Sequence, residues 1–195
     1  MILELYSTLL TLREQRAAQD PAPIVIRPIR PEDEANLLAF FEGLSPRSRH
    51  RRFHAAVNEL PPDVIARFVR ANGRDELALV AVAKQNGRET VIGEARYVLS
   101  SCKTRCAEIA IVVADAAQGV GLGKRMLRSL MRRAAENQIT QLYGEVMPDN
   151  RAMLGLAGAF GFRQRRDPDD PRLFRVEKTV SAGSFTRTQP LRGIG

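Results

Sequence analysis

Residues 106–123 read CAEIAIVVADAAQGVGLG, from Cys106 to Gly123. The first part, 106–114, is an apolar run of strand length. Gln118-Gly119-Val120-Gly121-Leu122-Gly123 is a glycine-rich turn, and a helix opens behind it over 122–137. In that helix Leu122, Met126, Leu127, Leu130 and Met131 recur at helical spacing, with Arg125, Arg128, Arg132 and Arg133 on the outer face. Alternating glycines let backbone N–H groups converge on one point. The first helical turn leaves its N–H donors without intrahelical acceptors, and the macrodipole adds positive potential there. Together these features make a cradle for phosphate, to which Lys124 and Arg125 add charge. The bland alternative is a tight turn that holds nothing. The spacing is not G-x-x-x-x-G-K-[ST], which argues against nucleoside triphosphate hydrolysis. A dinucleotide fold needs its glycines after the first strand of a parallel unit, with an acid about 20 residues on. Here several strands precede the turn, and residue 143 is a tyrosine within the next strand.

Working outward, residues 76–84 and 90–99 are apolar strands joined at Asn86-Gly87, a hairpin signal. Residues 24–29 predict a first strand, and Pro31 a helix start with Leu37, Leu38, Phe40 and Phe41 facing in. Ser45-Pro46 predicts a capped second helix, and Pro61-Pro62 a third. Beyond the turn come a strand at 140–147, a helix at 149–160, and strands at 161–166 and 172–180. Antiparallel strands followed by a strand–helix–strand crossover predict an α/β (α+β) fold. Its sheet is mixed and mostly antiparallel, with helices on both faces. The domain runs over 24–180. Residues 1–20 form an extension whose leucine-rich helix, 2–17, suits a contact with its own domain or with a second copy in a homodimer. Residues 181–195 are a polar tail.

A chain of 195 residues can bury a large core without disulfide or metal staples. It is 44% apolar and 27% charged, which excludes wholesale disorder and a disulfide scaffold. No stretch approaches the roughly 20 apolar residues of a membrane span. The two cysteines, Cys102 and Cys106, make no framework, and the chain reads as cytoplasmic. The net charge of +8 favours anionic partners such as a phosphate-bearing cofactor. Nucleic acid would want aromatics interleaved with the basic residues, and aromatics are 6%.

Gln118-x-x-Gly121-x-Gly123 after an apolar strand resembles the [RQ]-x-x-G-x-[GA] signature of the GNAT superfamily of N-acetyltransferases. The opening IRPIRPED at 26–33 is similar to a common first strand and turn of that superfamily. Asn150-Arg151-Ala152-Met153, closing with Phe160-Gly161-Phe162, is similar to its later helix and terminal G-F. The resemblance covers residues 24–180. With the intervening residues read loosely, the run from Leu44 to Phe53 is similar to the bacterial protein-lysine acetyltransferases.

The resemblance implies a sheet whose central strands, 106–114 and 140–147, splay apart to admit the pantetheine arm of acetyl-CoA as co-substrate, with no metal. Backbone groups of Ile111, Val112 and Val113 would hold that arm, Gln118 to Lys124 (with Gly119, Val120, Gly121, Leu122 and Gly123) would take the pyrophosphate, and Asn150 would contact the pantetheine. Glu108, in Ala107-Glu108-Ile109, matches the A-E-[IVF] glutamate that serves as general base in protein-lysine acetylating members. A base is needed because a lysine of pKa near 10.4 is neutral in about one molecule per thousand at pH 7. An acid inside a buried apolar strand is itself unexpected. The structural alternative is a glutamate paired with an arginine such as Arg96, and Glu94 and Glu145 are alternative bases. Many members carry a tyrosine as general acid where this chain has Ala157. A thiol of pKa about 8.5 leaves tolerably without one, and Tyr143 is a substitute without a geometric warrant. The expected acceptor is protein lysine. The alternatives are a small amine and a non-catalytic acyl-CoA-binding module.

Three weaker signals take ordinary readings. His50 and His54 stand four apart with no third ligand. Asp167, Asp169 and Asp170 have the look of a hairpin loop, without calcium-loop spacing. The arginines of 47–52 serve either an acidic substrate or the adenosine 3′-phosphate, or form a solvated helix face.

Overall fold

Alternation along the strands decides the architecture. In 106–113 the odd residues Ala107, Ile109, Ile111 and Val113 pack into one core, while Val112 packs into another. A strand apolar on both faces needs cover on both. The computed structural model describes residues 23–180 other than 58, 86, 87, 102 and 103. The expected helix 2–17, the Asn86-Gly87 turn, Cys102 and the tail from 181 lie outside the described residues.

The elements follow in the order β1 (Ile24–Pro28), α1 (Glu34–Glu42), α2 (Pro46–Phe53), α3 (Pro62–Phe68), β2 (Glu76–Gln85), β3 (Arg88–Leu99), β4 (Cys106–Val113), α4 (Leu122–Glu136), β5 (Gln141–Val146), α5 (Arg151–Ala159), β6 (Arg163–Arg166) and β7 (Phe174–Thr179). The seven strands form one sheet in the order β1-β2-β3-β4-β5-β7-β6. Neighbours run antiparallel except β4 and β5, which are parallel. This is the mixed, mostly antiparallel sheet the sequence implies. Among the described residues no helix is long and apolar enough to cross a membrane.

Behind the sheet, Met126, Leu127, Leu130 and Met131 of α4 pack on Leu79, Tyr97, Ile109, Leu142 and Val176. Each such side chain contributes roughly 1.5–3 kcal/mol when fully buried. The helix sits close enough that a Cβ on Gly93 would stand 2.7 Å from the Met126 Sδ. In front, α1 and α3 bring Leu37, Phe40, Phe41, Ile65 and Phe68 onto Val80, Val82, Val91 and Val112.

Local chemistry sets the ends. Ser45 caps α2, its Oγ accepting from the Ser48 N–H at 3.2 Å, with Pro46 as first helical residue. The helix expected at Pro31 begins three residues later, at Glu34. Pro31–Asp33 make a tighter 3-10 turn, and the Asp33 carboxylate turns back to the Arg30 N–H at 2.8 Å and the Arg27 guanidinium at 2.7 Å. β6 starts at Arg163 because Gly161, at φ +73°, takes up the preceding turn.

Candidate active site

The parallel ladder between β4 and β5 is short. It pairs Cys106 with Gln141, Ala107 with Leu142 and Glu108 with Tyr143, and there the register ends. Beyond Glu108 the strands part, so the predicted splay is present. A cavity of about 540 Å³ lies in the opening. Ile111, Val112 and Val113 form one wall, the glycine turn and the start of α4 a second, the first turns of α5 a third. Ser48, Arg51 and Arg52 of α2 complete the lining.

The turn is built to expose its backbone. Gly119 and Gly121 have φ +78° and +84°, a region that favours glycine, and a Cβ on either would meet nothing within 4 Å. The first α4 bond of the turn runs from the Arg125 N–H to the Gly121 carbonyl at 3.2 Å. The N–H groups ahead of it have no acceptor within the helix. Gln118, Gly119, Gly121, Gly123, Lys124 and Asn150 all border the cavity, as do Ile111, Val112 and Val113. Two expected residues do not present side chains to it: Val120 is 73% exposed, and Leu122 is buried in the core behind the sheet. The Gln118 amide donates to the Val113 carbonyl at 3.1 Å, and the Asn150 Oδ1 accepts from the Met153 N–H at 3.2 Å, capping α5.

Helix α2 bridges the opening. Asp115, after β4, accepts from the Ser45 N–H (2.9 Å), Ser45 Oγ (2.9 Å) and Ser48 Oγ (2.7 Å). Burial works to raise that carboxyl, and these hydrogen bonds outweigh it, holding it below the usual carboxylate value. Asp149, after β5, takes the Arg51 guanidinium at 2.7 Å on both its carbonyl and its Oδ2. The arginine run is therefore not simply a solvated face. Arg47 is 70% exposed, while Arg51 and Arg52 are 19% and 9% exposed. Helical spacing turns residues 48, 51 and 52 toward the cavity.

On the front of the sheet, next to the opening, stands a polar group. The Glu108 side chain is exposed there, in contrast to the buried acid the apolar strand suggested. It does not pair with Arg96. The Arg96 Nε goes to the Glu94 Oε1 at 2.5 Å and its Nη1 to Glu76 at 3.0 Å, with the guanidinium 3.5 Å over the Phe68 ring. Glu94 is fully buried and also receives Arg52 at 3.4 Å. Burial lowers the Arg52 guanidinium from its ordinary value, against the charges of Glu94 and Glu108. Burial and the nearby Glu108 charge raise the carboxyl of Glu145, and the same two causes raise the phenol of Tyr143. Burial lowers the His54 imidazole, whose Nδ1 is 3.9 Å from Glu145. Ala157 is buried in the core behind the sheet. Among the described residues no group of three His, Cys, Asp or Glu could hold a metal ion.

Sequence reasoning missed two features. One is the shared carboxylate of Glu94, whose partners lie 42 residues apart from it in Arg52 and two residues away in Arg96. The other is the burial of Asp167 within the expected hairpin loop. That residue is 3% exposed, and its Oδ1 accepts from the N–H groups of Asp169 and Asp170. A polar residue alternating with apolar ones, as Glu94 does in VIGEARYVL, was the available signal for the first.

The family model described as "Acetyltransferase (GNAT) family" matches residues 38–162. A curated relative, "Acetyltransferase PA5475" of Pseudomonas aeruginosa, is 34% identical over 151 residues, 77% of this chain and 81% of that one. The crystal structure of the GNAT domain of S. lividans PAT is 28% identical, with a TM-score of 0.72 over 80% of this chain and 89% of that one. A GNAT superfamily phosphinothricin acetyltransferase from Sinorhizobium meliloti, in complex with AcCoA, shares the fold at 18% identity. Its TM-score is 0.65 over 88% of this chain and 95% of that one.

Proposed function

This chain belongs to the acetyltransferase (GNAT) family of N-acetyltransferases, which use acetyl-CoA as co-substrate, and from that premise we propose that it acetylates protein lysine with Glu108 as general base. The observation that carries the proposal is the place of Glu108. It is exposed on the last register pair before β4 and β5 part, three residues ahead of the cavity wall at Ile111. Three strand residues span about 10 Å of backbone, a gap that the Glu108 side chain and the acceptor's entering amine narrow from either side, so that the proton passes directly or through water.

The cavity fits the co-substrate on its own chemistry. Bare glycines and free helix N–H groups at 119–124 suit the pyrophosphate, with Lys124 beside them. The β4 backbone at 111–113, past the end of the ladder, suits the amides of the pantetheine arm. Bound acetyl-CoA supplies an activated acyl group. Glu108 takes the proton of the entering amine, which is otherwise almost wholly protonated near neutral pH. Glu94 is unsuited to that task because two arginines share its buried carboxylate. Carboxylates of Glu108 and Glu145 on an open face suit the ammonium of a long side chain.

The test is thiol release from acetyl-CoA by the wild type and by Glu108→Gln, with acceptor proteins and small amines offered separately. The expected result is release with protein acceptors and a loss of 10²–10⁴-fold in the variant, with the KM for acetyl-CoA within about threefold. Release with small amines alone would overturn the lysine reading. Full activity in the variant would overturn the role of Glu108.

A further inference from the structure

Arg52 is a part-buried cation, its side chain 9% exposed, whose protein contacts leave donors over. Its Nε and Nη2 both reach the same oxygen of Glu94, each at 3.4 Å, long for a charged hydrogen bond. Arg96 holds the other Glu94 oxygen at 2.5 Å, so Arg52 is the looser of the two partners. Among the described residues nothing accepts from its Nη1, and its other contact is the Phe53 ring at 5.0 Å. A guanidinium has five donors, and the Arg52 Nη1 is not enclosed by protein, so it is open to a molecule in the adjoining cavity.

The position of Arg52 says where such a partner would come from. It borders the cavity alongside Val112. Val112 is the register partner of Glu94, and Ala110 and Glu108 follow on the same face of β4. Arg52 feels the charges of Glu94, Arg96 and Glu108. It therefore stands between the co-substrate cavity and the base, where the acyl group must change hands.

Resting on the acetyl-CoA reading of the cavity, we propose that Arg52 is a further catalytic residue that holds the coenzyme A sulfur as it becomes a thiolate. The bond from the acceptor nitrogen to the acyl carbon forms, and the C–S bond breaks with its electron pair going to sulfur. The amine proton goes to Glu108. Arg52 keeps its own protons and meets the sulfur anion by charge and hydrogen bond, and the thiolate later takes a proton from water. With Ala157 buried behind the sheet, a cation that stabilises the leaving anion does the work for which a hydroxyl acid would otherwise be needed.

The experiment titrates the thiol of free coenzyme A bound to excess protein, read by thiolate ultraviolet absorbance, in wild type, Arg52→Lys and Arg52→Met. The expected wild-type thiol ionises at least one pH unit below the ordinary value of about 8.5. Arg52→Met returns it toward that value, with kcat down at least tenfold and the KM for acetyl-CoA little changed, and Arg52→Lys falls between. Because Arg52→Met leaves Glu94 one partner fewer, Arg52→Met/Glu94→Gln repeats the measurement with that charge removed. Identical thiol titration in wild type and both methionine variants would overturn the proposal. Failure of wild type to bind coenzyme A would instead remove the reading of the cavity on which it rests.

Discussion

The two faces of the sheet are written by one alternating sequence and end with opposite chemistries. Behind it, Tyr97, Ile109, Leu142 and Val176 are buried against α4, and the one phenol is tied down, with the Asn137 amide donating to the Tyr97 oxygen at 2.5 Å. One residue away on the same strands, Val98, Glu108, Tyr143 and Arg175 lie on the front. There the charges are shared, stacked or exposed: two arginines share Glu94, and Arg175 lies 4.1 Å over the Tyr143 ring. Strand period two lets one chain segment contribute a dry core and a reactive surface together. A buried apolar contact is satisfied by any good packing, whereas a charge must have a partner or a task.

The sharpest way to break the comparison is Glu94→Ala. If front-face charge mattered for chemistry alone, stability would hold. We expect instead a loss of about 3–5 kcal/mol in urea denaturation, because the buried Arg96 and the part-buried Arg52 would lose their shared carboxylate. On the back, Leu130→Ala should lower stability by roughly 3 kcal/mol through lost burial and a residual cavity. Its specific activity at low temperature, per folded molecule, should match wild type.

The Arg27–Asp33 pair asks what front-rim charge does when held by two parallel hydrogen bonds. Hydrogen bonding to Arg27 holds the Asp33 carboxyl below its ordinary value. Its contribution is therefore present above the unfolded-state pKa of about 3.9 and is lost as pH falls through the lower folded value. Asp33→Asn should lower Tm at pH 7, and the gap from wild type should close on acidification toward pH 2. The smallest effect belongs to Arg172→Ala. This side chain is 88% exposed and pairs with its near neighbour Asp170, so Tm should not move measurably.

Much of this was legible in the sequence because local rules govern it. The Ser45-Pro46 start, the apolar face of 122–131 and the glycine turn follow from capping, period and backbone freedom, and all three are present. The splay and the expected acid at 108 came through resemblance. What the sequence withheld depends on long-range partners. Nothing near Arg52 announces Glu94, and nothing near Arg51 announces Asp149, 98 residues on. The exposure of Glu108 is of the same kind. A strand reads as buried until one knows that the front helices cover it at Val112 and leave it open at Glu108 and its partner Val98.

The three-pair ladder between β4 and β5 has a further consequence. Past Glu108 the strand presents what is usually found at a sheet's rim, a row of peptide groups in search of a neighbour. Soluble proteins blunt such rims with charge or cover, since they template unwanted pairing. Here the rim is internal and roofed by α2, which is pinned on one side to Asp115 and on the other to Asp149. Under the proposed function, a chain molecule carrying amides docks there as a surrogate strand. The sheet is thus left one strand short at its centre, and the ligand that completes it should raise its melting temperature in proportion to the logarithm of ligand concentration.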